Sequence, residues 1–284
     1  MRLLSIVICI AFFSLITPAF AELDVDVIVD GLNNPWEIVF GPEGEIFFTE
    51  RDGRIWKIEN FGEAKVIETF PKSGSMEGGT LGLALHPDFK NNQKIYIYQT
   101  NLELEFFQNK VFSFTVNGDA LIDKQVVIDD IPGAPWHDGG RIKFGPDGKL
   151  YITTGDAINP GWSQDLSSLA GKILRINPDG TIPDDNPFDS SPIFSYGHRN
   201  PQGIAWSDDG LFVSSEHGPS GEMGRGHDEI NVIVKGKNYG WPKVVGDSSD
   251  DNFVNPIIHS GQSTWAPSGM VFYNSDKISN LEGK

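Results

Sequence analysis

The sequence predicts an all-β propeller, and three observations carry that prediction. One strand–turn–strand phrase recurs along the chain, its copies are spaced at blade length, and no amphipathic helix separates them.

The first copy is Ile38-Val-Phe-Gly-Pro-Glu-Gly-Glu-Ile-Phe-Phe-Thr49. Leu83-Ala-Leu-His-Pro-Asp-Phe89, followed by Lys94-Ile-Tyr-Ile-Tyr98, is a looser second copy with a longer turn. Ile142-Lys-Phe-Gly-Pro-Asp-Gly-Lys-Leu-Tyr-Ile-Thr153 is the third, and Ile204-Ala-Trp-Ser-Asp-Asp-Gly-Leu-Phe-Val-Ser214 the fourth. Met270-Val-Phe-Tyr-Asn-Ser275 reads as the opening of a fifth. In each turn Pro pre-sets the first angle or Gly accepts a positive φ, and the flanking apolar residues alternate as half-buried strands require. With Phe40, Leu85, Phe144, Trp206 and Phe272 as equivalents, the steps are 45, 59, 62 and 66 residues. A β-sandwich is the structural alternative, but it does not predict one phrase recurring at such intervals.

Ahead of the repeats, Arg2, the apolar run Leu3–Ile16 and Ala19-Phe20-Ala21 form a secretory leader with its cleavage site, so the mature domain is expected at 22–284. That run is too short for a good membrane span, an uncleaved anchor being the alternative, and no later stretch could cross a bilayer. The single cysteine, Cys9, lies inside the leader, so the exported protein has no disulfide to lean on. The formal charge of −17 becomes −18 once Arg2 is lost. Such a surface repels nucleic acid and anionic membranes, and suits a periplasmic or extracellular protein that holds calcium or simply stays soluble.

Loops beside the repeats carry the polar residues. Glu77-Gly78-Gly79 precedes the second copy, His137-Asp138-Gly139-Gly140 the third, and His198-Arg199-Asn200-Pro201-Gln202 the fourth; Glu216-His217-Gly218-Pro219 follows it. His137 is the candidate general base, since histidine titrates near neutrality, although a histidine capping the blade edge would look the same. Arg199 offers a planar cation for a ring or a carboxylate, and Asn200 a donor and an acceptor for ring carbonyls, against an inter-blade clamp as the plain alternative. Gly218-Pro219 can free backbone carbonyls and Glu229 supplies a carboxylate, which suits calcium; a solvated acidic loop is the alternative. No Gly-x-Ser-x-Gly elbow, phosphate-binding loop or helix-opening dinucleotide motif is present.

Six longer motifs go further. Residues 77–89, 137–141, 171–180, 197–203, 216–219 and 228–242 resemble the soluble PQQ-dependent glucose and aldose sugar dehydrogenases, from about Gly31 to the end of the chain. The resemblance implies a six-bladed β-propeller, here lacking most of its last blade, with PQQ over a calcium ion in the channel mouth. It implies His137 as the base that takes the sugar hydroxyl proton while hydride passes to the quinone. Glu77, Arg199 and Asn200 align with cofactor contacts, and Gly218 and Pro219 with carbonyl ligands of the cofactor calcium. Glu229 and the Tyr239 carbonyl resemble a separate structural calcium site.

Two departures follow from the same comparison. Family members continue beyond this end with lysine and arginine residues that clamp the PQQ carboxylates, so weak PQQ binding is expected of this chain. The glucose enzyme has an acidic residue before its histidine where Trp136 stands here, so the resemblance does not name the sugar. The expected function is oxidation of an aldose to its lactone, with the electron acceptor unnamed. A non-catalytic propeller that binds sugar or a partner is the alternative, and a calcium-dependent lactone hydrolase a third reading.

Overall fold

The computed structural model describes residues 26–278, apart from 74, 104, 220–225 and 276. The expected leader at 1–21 lies outside the described residues. Sixteen strands form four antiparallel sheets of four, each built from consecutive strands. The first holds β1 (Pro35–Phe40), β2 (Ile46–Glu50), β3 (Arg54–Ile58) and β4 (Lys65–Thr69). The second holds β5 (Thr80–Leu85), β6 (Lys94–Glu103), β7 (Phe106–Asn117) and β8 (Ala120–Pro132). The third is β9 (Ile142–Phe144), β10 (Leu150–Thr154), β11 (Lys172–Ile176) and β12 (Ile193–Tyr196). β13 (Pro201–Trp206), β14 (Phe212–Glu216), β15 (Glu229–Val232) and β16 (Ile258–His259) complete the fourth.

The recurring phrase is the first hairpin of each sheet. Phe40, Leu85, Phe144 and Trp206 are the last residues of β1, β5, β9 and β13, so the repeat places the four blades in register.

Period-2 alternation explains why the blades stack. Leu150 and Ile152 of β10 join Tyr96 and Tyr98 of β6 in one core layer, while Tyr151 between them turns to Ile204 and Phe212 of the next blade. Ile95 and Ile97 point the other way, to Phe47 and Ile55 of the first blade. Each inner sheet is therefore apolar on both faces.

Six blades are not what the structure shows. It has four sheets among the described residues, and the expected fifth copy at Met270 forms no strand. Ser268 and Met270 lie against Gly203 of β13, the edge strand of the fourth sheet, without forming a ladder with it, and Val271 is 76% exposed. A strand needs a ladder partner, and apolar alternation without one does not make a blade. Among the described residues, no helix is long and apolar enough to cross a membrane.

Candidate active site and cation pocket

The loops leading into β5, β9 and β13 converge. Glu77 Oε2 accepts the backbone N–H of His137 at 2.9 Å and the Asn200 amide at 3.4 Å. Asn200 Oδ1 in turn accepts Gly139 N–H at 3.0 Å. Glu77, His137 and Asn200 thus form one hydrogen-bonded set drawn from three blades. His137 sits at φ 63°, a left-handed conformation that a non-glycine residue adopts only when its surroundings hold it. Gly155 is required here, because a Cβ on it would collide with the His137 carbonyl.

His137 Nδ1 lies 2.7 Å from Asp156 Oδ1. A carboxylate only accepts, so the imidazole proton sits on Nδ1 and Nε2 carries the lone pair. Arg199 Nη2 faces that nitrogen at 3.0 Å. The His137 side chain is 16% exposed and Asp156 fully buried, so the ring edge meets the outside and its anchor does not. Burial pulls the Arg199 guanidinium below its usual value, against the pull of Asp156, Glu216 and Glu77. Its carbon stands 5.5 Å over the Trp241 ring.

Asp156 was not foreseen from the sequence. The signal for it is positional: β2 ends on Glu50, β14 ends on Glu216, and Asp156 follows β10 two residues after Thr154. Glu50 accepts the backbone N–H of Asn33, ahead of β1, and Glu216 that of Arg199, ahead of β13. Asp156 instead takes the side chain of the residue ahead of its own blade.

Gly218, Pro219, Glu229 and Tyr239 all line one small pocket, together with Glu216, Arg199 and Trp241. The four residues, expected at two separate calcium positions, all line this one pocket. Glu229 is raised well above the carboxylate range, first by burial and then by the charge of Glu216. Two buried carboxylates that repel each other, beside a Gly-Pro turn, are an oxygen-rich donor set that a hard cation would relieve. Gly218 must be glycine, since a Cβ would strike the carbonyls of Gly226 and His227. Asp228, by contrast, is spent on the scaffold: it accepts the N–H groups of Gly218, Trp265 and Ala266 and the Thr264 hydroxyl.

Glu216 is the hub between the two sites. Its Oε2 meets His198 Nδ1 at 2.9 Å, and His198 Nε2 meets Ser195 Oγ at 2.8 Å. That triad-like line is sealed, with Ser195 and His198 fully buried, so it fixes Glu216 and has no access for a substrate.

Residues 32–284 match the glucose/sorbosone dehydrogenase family. The chain is 36% identical over 267 residues to quinoprotein glucose dehydrogenase B of Acinetobacter calcoaceticus, covering 82% of this chain and 55% of that protein. It therefore spans about half the length of that relative. It is 33% identical over 306 residues to aldose sugar dehydrogenase YliI of Escherichia coli, covering 98% and 80% of the two chains. The PQQ-bound aldose sugar dehydrogenase of Streptomyces coelicolor superposes with a TM-score of 0.80 at 36% identity, over 87% of this chain and 74% of that one.

Proposed function

The chain belongs to the glucose/sorbosone dehydrogenase family, and on that premise we propose that it oxidises an aldose to its lactone with PQQ and calcium. The observation that carries the reading is the His137–Asp156 pair, whose Nδ1 contact leaves Nε2, faced by Arg199 Nη2 at 3.0 Å, as the basic nitrogen of a partly exposed ring. His137 Nε2 takes the proton of the sugar hydroxyl, and Asp156 holds the imidazolium that results. Bound PQQ supplies the two-electron acceptor for the hydride leaving the same sugar carbon. Arg199 and Asn200 offer a cation and an amide to a carboxylate-rich quinone, with Glu77 fixing the loops on either side. Gly218 and Pro219, with Glu229 and Tyr239, hold calcium in the pocket beside them. The leader expected at 1–21, followed by one propeller domain at 22–284, supports export to the periplasm or beyond.

The test is to add PQQ and calcium chloride to the purified apo-chain with an artificial electron acceptor and a panel of aldoses. Dye reduction that needs all three is the expected result. Sugar binding without turnover would replace this reading with a binding propeller, and lactone cleavage without quinone with a hydrolase.

A further inference from the structure

Trp241 touches both groups that flank His137. Its indole N–H donates to Asp156 Oδ2 at 2.8 Å, and the Arg199 guanidinium lies over its ring. The backbone beneath is pinned at both ends of the residue: its N–H donates to Gly197 O at 2.9 Å, and its carbonyl accepts Gln164 Nε2 at 2.6 Å. Trp241 is also a wall of the pocket that gathers Gly218, Pro219, Glu229 and Tyr239. Among the described residues, it both donates to Asp156 and faces that pocket.

We propose that Trp241 is a positioning residue: it sets the plane of the Asp156 carboxylate, and through it the His137 ring, and links that pair to the cation pocket. Asp156 Oδ1 already serves His137 Nδ1 and the Ile158 N–H at 2.9 Å. Oδ2, fully buried, has the indole as its donor. With two donors on Oδ1 and the indole on Oδ2 the carboxylate is held against rotation about its Cβ–Cγ bond; with the indole gone only the Oδ1 contacts remain, and the carboxylate and the imidazole with it can turn. Tyr239 stands two residues before Trp241, so an ion drawing in Tyr239 and Glu229 bears on the same short segment. This second half rests on the calcium reading of the pocket.

Trp241→Phe keeps a ring under Arg199 and removes the N–H. In the full chain loaded with PQQ and calcium, kcat is expected to fall about tenfold or more while the aldose KM and the melting temperature stay near wild type. Adding Trp241→Phe to Asp156→Asn should cost little beyond Asp156→Asn alone. A second measurement needs no turnover and no Trp241 variant. In apo-chain labelled with 5-fluorotryptophan, the Trp241 signal, assigned in the wild type by its contacts to Arg199, should shift in Asp156→Asn and on addition of calcium chloride. Unchanged kcat in folded Trp241→Phe, or a signal that ignores Asp156→Asn, overturns the positioning role. A chain that binds calcium by calorimetry while its Trp241 signal stays still overturns the link. No calcium binding at all sinks the reading of the pocket instead, and the Asp156→Asn response then decides the positioning role by itself.

Discussion

Asp156 lies 2.7 Å from His137 across the β9–β10 hairpin, fully buried, with its two oxygens held from opposite sides by His137 and Trp241. The pair is built like a base and its orienting acid, and Asp156→Asn tests it. An amide can present its NH2 to Nδ1, which moves the imidazole proton to Nε2 and removes the lone pair from the reacting edge. We expect kcat to fall by about 10²–10⁴-fold, with PQQ affinity within about twofold of wild type. Steady-state kinetics beside a PQQ titration gives both numbers. A variant that keeps most of its kcat would remove Asp156 from the mechanism.

Glu229→Gln separates the two effects of the cation pocket. Without metal, burial and then the charge of Glu216 disfavour an ionised Glu229, so the variant should melt at or above wild type. With calcium at 100 times its Kd, the wild type should gain about 2.7 kcal/mol and the variant much less. Melting curves with and without calcium chloride read this directly, and equal calcium gains in the two proteins would place the ion elsewhere.

Asp138, next to the base, is pushed up to about 6 by burial, against the hydrogen bonds of Ala134, Asn109 and Ser75. Its folded value lies above the unfolded one, so its contribution is fully present below about pH 4 and is lost as pH rises to 6. Asp138→Asn removes that dependence. The stability of wild type relative to the variant should therefore fall between pH 4 and pH 6, by at most about 3 kcal/mol. Urea unfolding at several pH values checks it; a difference that rises with pH would reverse the assignment.

Lys172 is buried on β11 and donates to the carbonyls of Trp162 at 2.7 Å, Ala170 at 2.6 Å and Ser163 at 3.3 Å. Those carbonyls belong to the segment that Ser163 and Gln164 tie to His198 and Trp241. Lys172→Met fills the space; the Trp162 and Ser163 carbonyls keep the N–H groups of Asp165 and Gly197, but the Ala170 carbonyl loses its donor, which should cost about 1–3 kcal/mol. Denaturant unfolding reads the loss. Stability within 0.5 kcal/mol of wild type, about the scatter of a surface substitution, would show that water replaces the ammonium.

Much of this was legible because the blades repeat. Pro and Gly in the turns and alternation in the strands are local signals, and they located β1–β2, β5–β6, β9–β10 and β13–β14. The outer strands carry no such phrase: β8 is largely exposed, and β16 is two residues long. The fifth copy failed because alternation describes only one side of a ladder: Met270 lies near β13, the edge strand of its sheet, yet Met270–Phe272 forms no ladder with it. Glu77, His137 and Asn200 could be grouped by their shared place ahead of a hairpin. Asp156 was harder: its one signal is a place just after the second strand of a hairpin, like Glu50 and Glu216, and only the fold brings it under His137. Asp228, beside the Glu229 expected near the cation, shows the converse: the structure uses it to fix Gly218 and the 264–266 turn.

The most direct test of the account is His137→Gln in the chain reconstituted with PQQ and calcium. The amide keeps a polar group of similar reach but has no basic nitrogen, so it cannot take the sugar proton. Aldose-dependent dye reduction should fall by about 10²–10⁴-fold while PQQ still binds with near wild-type affinity and the protein melts within a few degrees of wild type. A fully loaded His137→Gln protein that oxidises its aldose at close to the wild-type rate would contradict the central claim.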